Sequence, residues 1–342
     1  MQPRVAKSKA GLGMGELALV ERIRARAKGL PGGAGVALGI GDDCALLRVK
    51  AGDELAVTTD LSIEGQHFRL DWHTPEAVGH RALARGLSDL AAMGARPVAA
   101  FLSLGLPGKL TVGKRGRPAW VDRFLDGLLA LATEHRVALA GGDVSESPVA
   151  MMDIVLTGAV PRGRALVRSG AQVGDRICVT GTLGGAAAEL AALAAAPKRF
   201  QRRTSAEMGG AHLFPQARIP QGLALMRRAL ASSAMDLSDG LSLDLARLCR
   251  ESGVAAELDA ALIPVAEGAT LEQALNGGED YELLFTAGEQ VRLPGTIGGV
   301  PLTVVGRVVA AKRGRPLVAL RRSGKSEALD ARGWEHFAGE TS

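Results

Sequence analysis

Apolar and polar residues alternate along this chain in two periods, so that helix-like and strand-like segments follow one another. Helical spacing predicts helices over residues 16–26, 75–93 and 120–134, in an Ala-rich stretch after residue 185, and over residues 239–252. Short apolar runs predict strands over residues 55–59, 98–104, 137–140, 151–160, 176–180, 281–286, 302–309 and 316–321. This order predicts a mixed α/β fold.

A stretch in which Pro, Gly and Arg interrupt two strand-like runs, residues 161–174, marks a candidate domain boundary. The 342 residues are enough for two domains, each with its own core. We therefore expect a basic, flexible N-terminus over residues 1–14, an N-terminal domain over 15–163 and a C-terminal α/β domain over 164–342.

The composition is that of a globular protein, with 47% hydrophobic and 23% charged residues. No apolar stretch has the length that a signal peptide or a membrane-spanning helix needs, so a cytoplasmic location without a membrane partner is expected. Cys44, Cys178 and Cys249 are odd in number and widely spaced, which argues against a disulfide framework or a zinc site.

The net charge of +5 raises the question of a nucleic-acid partner. Much of the positive excess lies in short loop-like stretches, over residues 114–117, 198–203 and 312–315. We interpret them as a solvated basic surface that helps to attract anionic substrates. Acidic turns dispersed along the chain do not suit nucleic-acid binding, which is not expected.

Aspartates recur at predicted strand ends and Gly-rich turns, with one more on a helix; they are Asp42, Asp43, Asp60, Asp89, Asp143, Asp236 and Asp239. Each alone is typical of a turn or a helix cap. No Lys or Arg lies within three residues of any of them. If they converge in space, they form an uncompensated negative site that calls for a cation, and carboxylate ligands suit Mg²⁺.

The helix over residues 75–93 places Asp89 about 120° away from its apolar stripe, and therefore toward solvent or a cleft. Glycines beside the other aspartates would let backbone N–H groups approach a phosphate. A P-loop is not present, because the match to GxxxxGK at Gly108 is followed by Arg115 rather than Ser or Thr. The six histidines show no metal-ligand spacing and are expected mostly at the surface or at helix ends.

Six motifs carry a resemblance to a known family: Gly39-Ile40-Gly41-Asp42-Asp43, Thr58-Thr59-Asp60, Leu87-Ser88-Asp89, Gly141-Gly142-Asp143, Asp236-Leu237-Ser238-Asp239-Gly240 and Gly277-Gly278-Glu279-Asp280-Tyr281-Glu282. In this order they closely resemble the thiamine-monophosphate kinase family, within the aminoimidazole ribonucleotide synthetase-like superfamily. The resemblance implies a two-domain synthetase-like fold whose N-terminal domain forms a barrel across a homodimer.

The same resemblance implies ATP-dependent conversion of thiamine phosphate to thiamine diphosphate, by direct in-line transfer with several Mg²⁺ ions and no acid–base residue. The implied magnesium ligands are Asp43, Thr58, Thr59, Asp60, Asp89, Asp143, Asp236 and Asp239. The implied ATP contacts are Gly142, Asp143, Arg168 and Ser238. The implied thiamine phosphate contacts are His67, Glu279 and Trp334.

The sequence departs from the family pattern at three places. Gly86 stands where Asn is expected, Phe214 stands where Arg is expected, and residues 109–118 form a basic insertion. None of these changes removes an implied metal ligand. The alternative function is that of another ATP-dependent enzyme of the same superfamily, acting on a different acceptor.

Overall fold

The structure is a computed structural model that describes residues 15–30, 33–114 and 116–333. The α-helices in these ranges are α1 (Glu16–Ala27), α2 (Pro75–Ala92), α3 (Trp120–Glu134), α4 (Gly185–Ala195), α5 (Ile219–Arg227), α6 (Leu241–Ser252) and α7 (Leu271–Asn276). The strands are β1 (Val36–Leu38), β2 (Leu46–Leu47), β3 (Asp53–Ile63), β4 (Arg96–Leu106), β5 (Ala138–Glu146), β6 (Met151–Pro161), β7 (Arg176–Thr180), β8 (Ser233–Asp236), β9 (Ala255–Asp259), β10 (Leu283–Ala287), β11 (Thr296–Ile297), β12 (Val300–Val309), β13 (Val318–Arg322) and β14 (Lys325–Ala328).

The first sheet has four strands in the order β3-β6-β4-β5. Strands β4 and β5 are parallel, whereas β6 is antiparallel to both of its neighbours. Helices α2 and α3 supply the apolar layer for one face, where Leu87 and Phe124 form a buried core with Ile154 of β6. The two helices approach so closely that a Cβ on Gly79 would lie 1.9 Å from the carbonyl oxygen of Phe124.

The opposite face of this sheet is open along its edge strand β3, whereas the segment with β1 and β2 packs over part of β4 and β5. Side chains of a strand alternate between the two faces, and on β3 the outward set includes Leu55, Val57 and Leu61. These three side chains are 46%, 60% and 43% exposed. A row of apolar residues on an exposed sheet face is typical of an interaction surface.

The second sheet has eight strands, with β14-β13-β9-β12-β7-β10-β8 in order and β11 paired to β12. Most of its pairs are antiparallel, and β9 with β13 is parallel. Helix α6 buries Leu245 and Leu248 in a core shared with Leu284 of β10 and Val305 of β12. Two core layers in mixed α/β order confirm the predicted fold class.

Two predictions about strand ends are wrong. Strand β3 continues to Ile63 and β5 continues to Glu146, so Asp60 and Asp143 lie inside strands rather than at their ends or on turns. The Gly-Gly pair does not end β5. Gly142, with a φ of 146°, pairs with Leu102 of β4, and the next residue, Asp143, pairs with Ser103. Helix α6 begins at Leu241, two residues later than expected.

The chain passes from the first sheet to the second over residues 162–175. The domain boundary between residues 163 and 164 stays a prediction. Among the described residues, no helix combines the length and the apolar character needed to cross a bilayer.

Candidate active site

A cleft of about 590 Å³ lies where the two halves of the chain meet. The loop after β3 supplies His67 and Trp72 to its wall, and α2 supplies Asp89. The C-terminal half supplies Asp239, just before α6, and Glu279, just before β10. Asp89 therefore faces the cleft, as its position on the helix predicted.

Three aspartates in the wall of this cleft, Asp60, Asp89 and Asp236, have raised pKa values. Burial, together with the neighbouring carboxylates of Asp89 and Asp153, raises the pKa of Asp60 to about 6, against the lowering effect of a nearby arginine. Burial also raises the pKa of Asp89. Asp236 is buried, and burial and the charge of Asp89 raise its pKa well above the ordinary value. For all three carboxyl groups, burial is the largest cause of the raised pKa, because it disfavours the charged form.

The sequence predicted that no cationic side chain compensates the aspartates, and this prediction is wrong for two of them. Arg85 of α2 lies 3.1 Å from the carboxylate of Asp60. Arg247 of α6 forms an ion pair with Asp239. These arginines are supplied by helices packed beside the aspartates, which a window of three residues does not cover.

The adjacent residues Thr58 and Thr59 lie on opposite faces of β3. The hydroxyl of Thr58 donates to the Asp89 carboxylate on the face covered by α2. The hydroxyl of Thr59 donates to Asp153 at 3.0 Å on the open face. Asp153 is in register with Ser103, which is in turn in register with Asp143 of β5. The implied ligand set is thereby divided between the cleft and the open face of the sheet.

The remaining implied ligands and ATP contacts of the first half are exposed. Asp143 accepts from the backbone N–H of Val144 at 2.9 Å. Asp43 lies after β1, where its backbone N–H donates to Asp42 at 2.9 Å. A Cβ on Gly142 would lie 1.9 Å from the Leu102 carbonyl oxygen, so this position requires glycine. Within the described ranges, no three or more His, Cys, Asp or Glu side chains are gathered as a ready-made metal site.

The turn that carries Ser238 and Asp239 is held by a residue that the sequence analysis did not single out. Asp244, in the first turn of α6, accepts from the backbone N–H groups of Ser238 at 3.1 Å and Asp239 at 2.9 Å. The Asp244 side chain is buried, and burial raises its pKa to about 6. Ser238 and Asp239 thus reach the cleft wall from a braced turn.

The acidic residues of the segment before β10 have three separate roles. Glu279 faces the cleft, while Asp280 accepts from the backbone N–H groups of Gly184 at 2.7 Å and Ala186 at 3.2 Å at the start of α4. Glu282 is buried and forms an ion pair with Arg218 at 2.5 Å. Only Glu279 is therefore placed to meet a ligand.

Glu279 is held by a buried network that sequence reasoning missed. Its carboxylate contacts Arg81 at 2.6 Å and Nδ1 of His212 at 2.9 Å. Burial would raise the Glu279 pKa, but Arg81 and His212 outweigh it and hold the pKa far below the ordinary range. The partners are distant in sequence, with Arg81 and Glu279 separated by 198 positions, so no local pattern could have identified them.

The expectation that most histidines lie at the surface or at helix ends is wrong for His73, His80 and His212. Their side chains are only 3%, 3% and 1% exposed. His67 does lie in the cleft wall, where its Nδ1 accepts from the backbone N–H of Ile63 at 3.1 Å. The imidazoles of these residues pack between elements of the two halves, which helical periodicity does not reveal.

Arg168 is exposed, and its charge acts to lower the pKa of Asp89, which places it within electrostatic reach of the cleft. Trp334 lies outside the described residues. Of the two unexpected residues, Gly86 is tightly packed: a Cβ there would lie 2.5 Å from a methyl group of Leu156, so Asn would require this side chain to move. Phe214 is buried and meets the His80 ring edge to face.

Two family models match most of this chain. The first, AIR synthase related protein, N-terminal domain, matches residues 41–161. The second, AIR synthase related protein, C-terminal domain, matches residues 172–319. The fold and the acidic cleft thus define a protein of the AIR synthase-related class.

Relatives within that class are more specific. Thiamine-monophosphate kinase of Escherichia coli is 41% identical over 338 residues, which cover 95% of this chain and 98% of the relative. The crystal structure of thiamine-monophosphate kinase from Stenotrophomonas maltophilia has 36% identity and a TM-score of 0.73, covering 90% of this chain and 96% of that one. A structure of AaThiL complexed with AMPPCP and TMP has 29% identity and a TM-score of 0.72, covering 97% and 100%. The chain belongs to the thiamine-monophosphate kinase family, which confirms the resemblance carried by the six motifs.

Proposed function

We propose that the cleft between the two halves is where this ATP-dependent phosphotransferase converts thiamine phosphate to thiamine diphosphate. The family is that of thiamine-monophosphate kinases, and the AaThiL complex holds AMPPCP and TMP. The observation that carries the location is that carboxylates from both halves line one cleft, the partly buried Asp60 and Asp89 from one half and the buried Asp236 from the other.

This chemistry needs no strong general base. The acceptor oxygen belongs to a phosphate whose second pKa is about 6, so it is largely deprotonated near neutral pH. The main barrier is the mutual repulsion of two anionic groups, and catalysis depends on positioning them and on neutralising their charge. Arg69 and Arg85 are cationic side chains in the cleft wall, and the charge of Arg168 acts on Asp89.

The cleft fits magnesium by the chemistry of its donors. Asp60, Asp89 and Asp236 bring carboxylate oxygens to one cleft, and such hard oxygen donors suit a divalent cation such as Mg²⁺. We propose these three and Asp239 as ligands from the cleft, with Thr58, Thr59, Asp43 and Asp143 completing the set. When bound, Mg²⁺ would neutralise phosphate charge and align the donor and acceptor groups.

For the nucleotide we propose contacts from Gly142, Asp143, Ser238 and Arg168. The Arg168 guanidinium is exposed and can offer its forked donors to a phosphate. For thiamine phosphate we propose His67 and Glu279, which share the cleft, and Trp334 from the C-terminal segment. Glu279 is ionised and is the acceptor suited to the amino group or positive ring of the substrate.

The partner that we propose for the open sheet face is a second copy of this chain. Leu55, Val57 and Leu61 form an apolar row on β3, next to Thr59 and Asp153. Pairing of two such faces would bury the row and would enclose Thr59 and Asp143 at the interface. A cytoplasmic location also stays a proposal from the sequence.

The test is an acceptor assay. Purified protein with ATP and Mg²⁺ is expected to form thiamine diphosphate and ADP from thiamine phosphate, followed by chromatography of both products. Turnover of a different phosphate acceptor with no thiamine diphosphate would favour the alternative, another ATP-dependent enzyme of the superfamily, and would leave the fold assignment intact.

A further inference from the structure

Two buried imidazoles meet where α2, the loop before it and the C-terminal half pack together. Nε2 of His73 lies 3.0 Å from Nε2 of His212. A contact of this length is a hydrogen bond only if one nitrogen carries a proton and the other does not. One imidazole therefore donates and the other accepts. Which of them donates depends on the groups that the other nitrogen of each ring contacts.

The partner of His212 settles the direction at one end. Its Nδ1 lies 2.9 Å from the Glu279 carboxylate, which can only accept. His212 thus carries its proton on Nδ1, its Nε2 is an acceptor, and the proton between the two rings belongs to Nε2 of His73. This leaves Nδ1 of His73 as an acceptor for the backbone N–H of Arg69, which lies 3.2 Å away.

The Arg69 carbonyl is an unsuitable alternative partner for His73. It also lies 3.2 Å from Nδ1, but it already accepts the backbone N–H groups of Trp72 at 3.1 Å and His73 at 2.9 Å. The Arg69 N–H is therefore the donor that fits. The result is a chain of three hydrogen bonds from the Arg69 backbone to the Glu279 carboxylate.

Other charged groups around the pair agree with this direction. Nη1 of Arg81 lies 3.0 Å from Nδ1 of His212, but an unprotonated Nδ1 would turn a lone pair toward the Glu279 oxygen 2.9 Å away. That Arg81 nitrogen already donates to the His212 carbonyl. Glu189 accepts from the backbone N–H of His212 at 2.7 Å and leaves its ring untouched.

We propose that His73 and His212 are positioning residues for thiamine phosphate: their fixed tautomers tie the loop that carries His67 to Glu279 and hold the Glu279 carboxylate toward the cleft. The proposal rests on the proposed function. Glu279 adopts a φ of 58°, an uncommon conformation for a residue other than glycine, which persists where surrounding contacts hold it. Burial and the Arg81 charge keep both imidazoles neutral by lowering their pKa values.

The direction of the three hydrogen bonds can be tested on the protein without substrate. Protein labelled with ¹⁵N in histidine is expected to show one neutral Nδ1–H ring and one neutral Nε2–H ring that vanish, respectively, in His212→Asn and His73→Gln. An Nε2–H tautomer at His212 would overturn the proposal. This result does not depend on activity, so failure of the proposed function and failure of the tautomer assignment are distinguishable.

The positioning role predicts a selective kinetic effect. His73→Phe removes the donor to His212 and is expected to raise KM for thiamine phosphate about tenfold while KM for ATP stays unchanged. His73→Gln, whose amide can donate at the place of Nε2–H, is expected to recover most of that loss. Equal changes in both KM values, or no advantage of Gln over Phe, would show a merely structural role. If His73→Phe does not fold, His212→Leu serves as the variant without a donor to Glu279 and His212→Asn, which keeps a donor at the Nδ1 position, as its rescue.

Discussion

The guanidinium of Arg85 on α2 lies 3.1 Å from the carboxylate of Asp60 on β3, inside a cleft that also holds further carboxylates. This ion pair counters only part of the local charge, because burial still raises the Asp60 pKa to about 6. The protein thus keeps an acidic site with incomplete internal neutralisation. Such a site is suited to a cation that arrives with the nucleotide.

Replacing Asp60 by Asn tests this site. The variant keeps the shape of the side chain but loses a charged oxygen donor, so kcat is expected to fall by at least about 100-fold. The free energy of unfolding should change by only about 1 kcal/mol, because the neutral amide avoids the cost of burying a charge. Steady-state kinetics and urea unfolding measure the two effects.

The matched control is Asp330→Asn, since the Asp330 side chain is 70% exposed and forms an ion pair with the equally exposed Arg332. It is expected to retain wild-type kcat and stability. Full activity in Asp60→Asn would contradict the assignment of the acidic cleft as the site of transfer.

Gly142→Ala tests the strand that carries the implied ATP contacts. The new Cβ would lie 1.9 Å from the Leu102 carbonyl oxygen, at a φ of 146° that side chains rarely adopt. A loss of about 2 kcal/mol or more in the free energy of unfolding is expected, since either β4 or β5 must move. Gly295→Ala is the control, because a Cβ there meets no atom within 4 Å. Equal stability of the two variants would be inconsistent with the close approach of β4 and β5.

His80→Gln tests the cost of keeping a buried imidazole neutral. Burial lowers the His80 pKa to about 4, while Nε2 contacts the Pro215 carbonyl at 2.9 Å. Below pH 6.5 His80 binds a proton in the unfolded state but stays neutral in the folded state. The wild type therefore loses stability as the pH falls from 6.5 toward 4. Gln keeps a donor and cannot titrate.

The wild type should therefore lose about 2 kcal/mol more than His80→Gln between pH 7.5 and pH 5, as measured by urea unfolding at both values. Carboxylates with raised pKa values, such as Asp244 and Asp280, act in the opposite direction. They are present in both proteins and cancel in the comparison. Parallel pH profiles would show that His80 titrates normally in the folded state.

Val57→Glu tests the open sheet face. Val57 is 60% exposed at the centre of the apolar row on β3, and two glutamates would face each other across a pairing of these faces. By analytical ultracentrifugation, the variant is expected to be a monomer and the wild type is expected to be a dimer. Leu17→Glu on α1, where the side chain is 80% exposed, is the control and should leave the oligomeric state unchanged. A wild-type monomer would contradict the proposed pairing.

Much of the fold follows from local patterns. The stripe that includes Leu83, Leu87 and Leu90 predicts α2 within one residue of its observed end, because a helix must bury its apolar face. The elements missed were short or weakly patterned; they are β1, β2, β8, β9, β11, β14, α5 and α7. Their residues are ordered by neighbours from elsewhere in the chain rather than by their own periodicity.

The aspartates, glycine motifs and family resemblance were available from the sequence, because they depend on residue identity and order. Tertiary structure alone decided which aspartates share the cleft and which face the open side of the sheet. Successive side chains of a strand point to opposite faces, so the adjacent residues Thr58 and Thr59 lie on different faces of β3. The tertiary structure also decided the partners of Glu279, since Arg81 and His212 reach this residue only after helices and strands have packed.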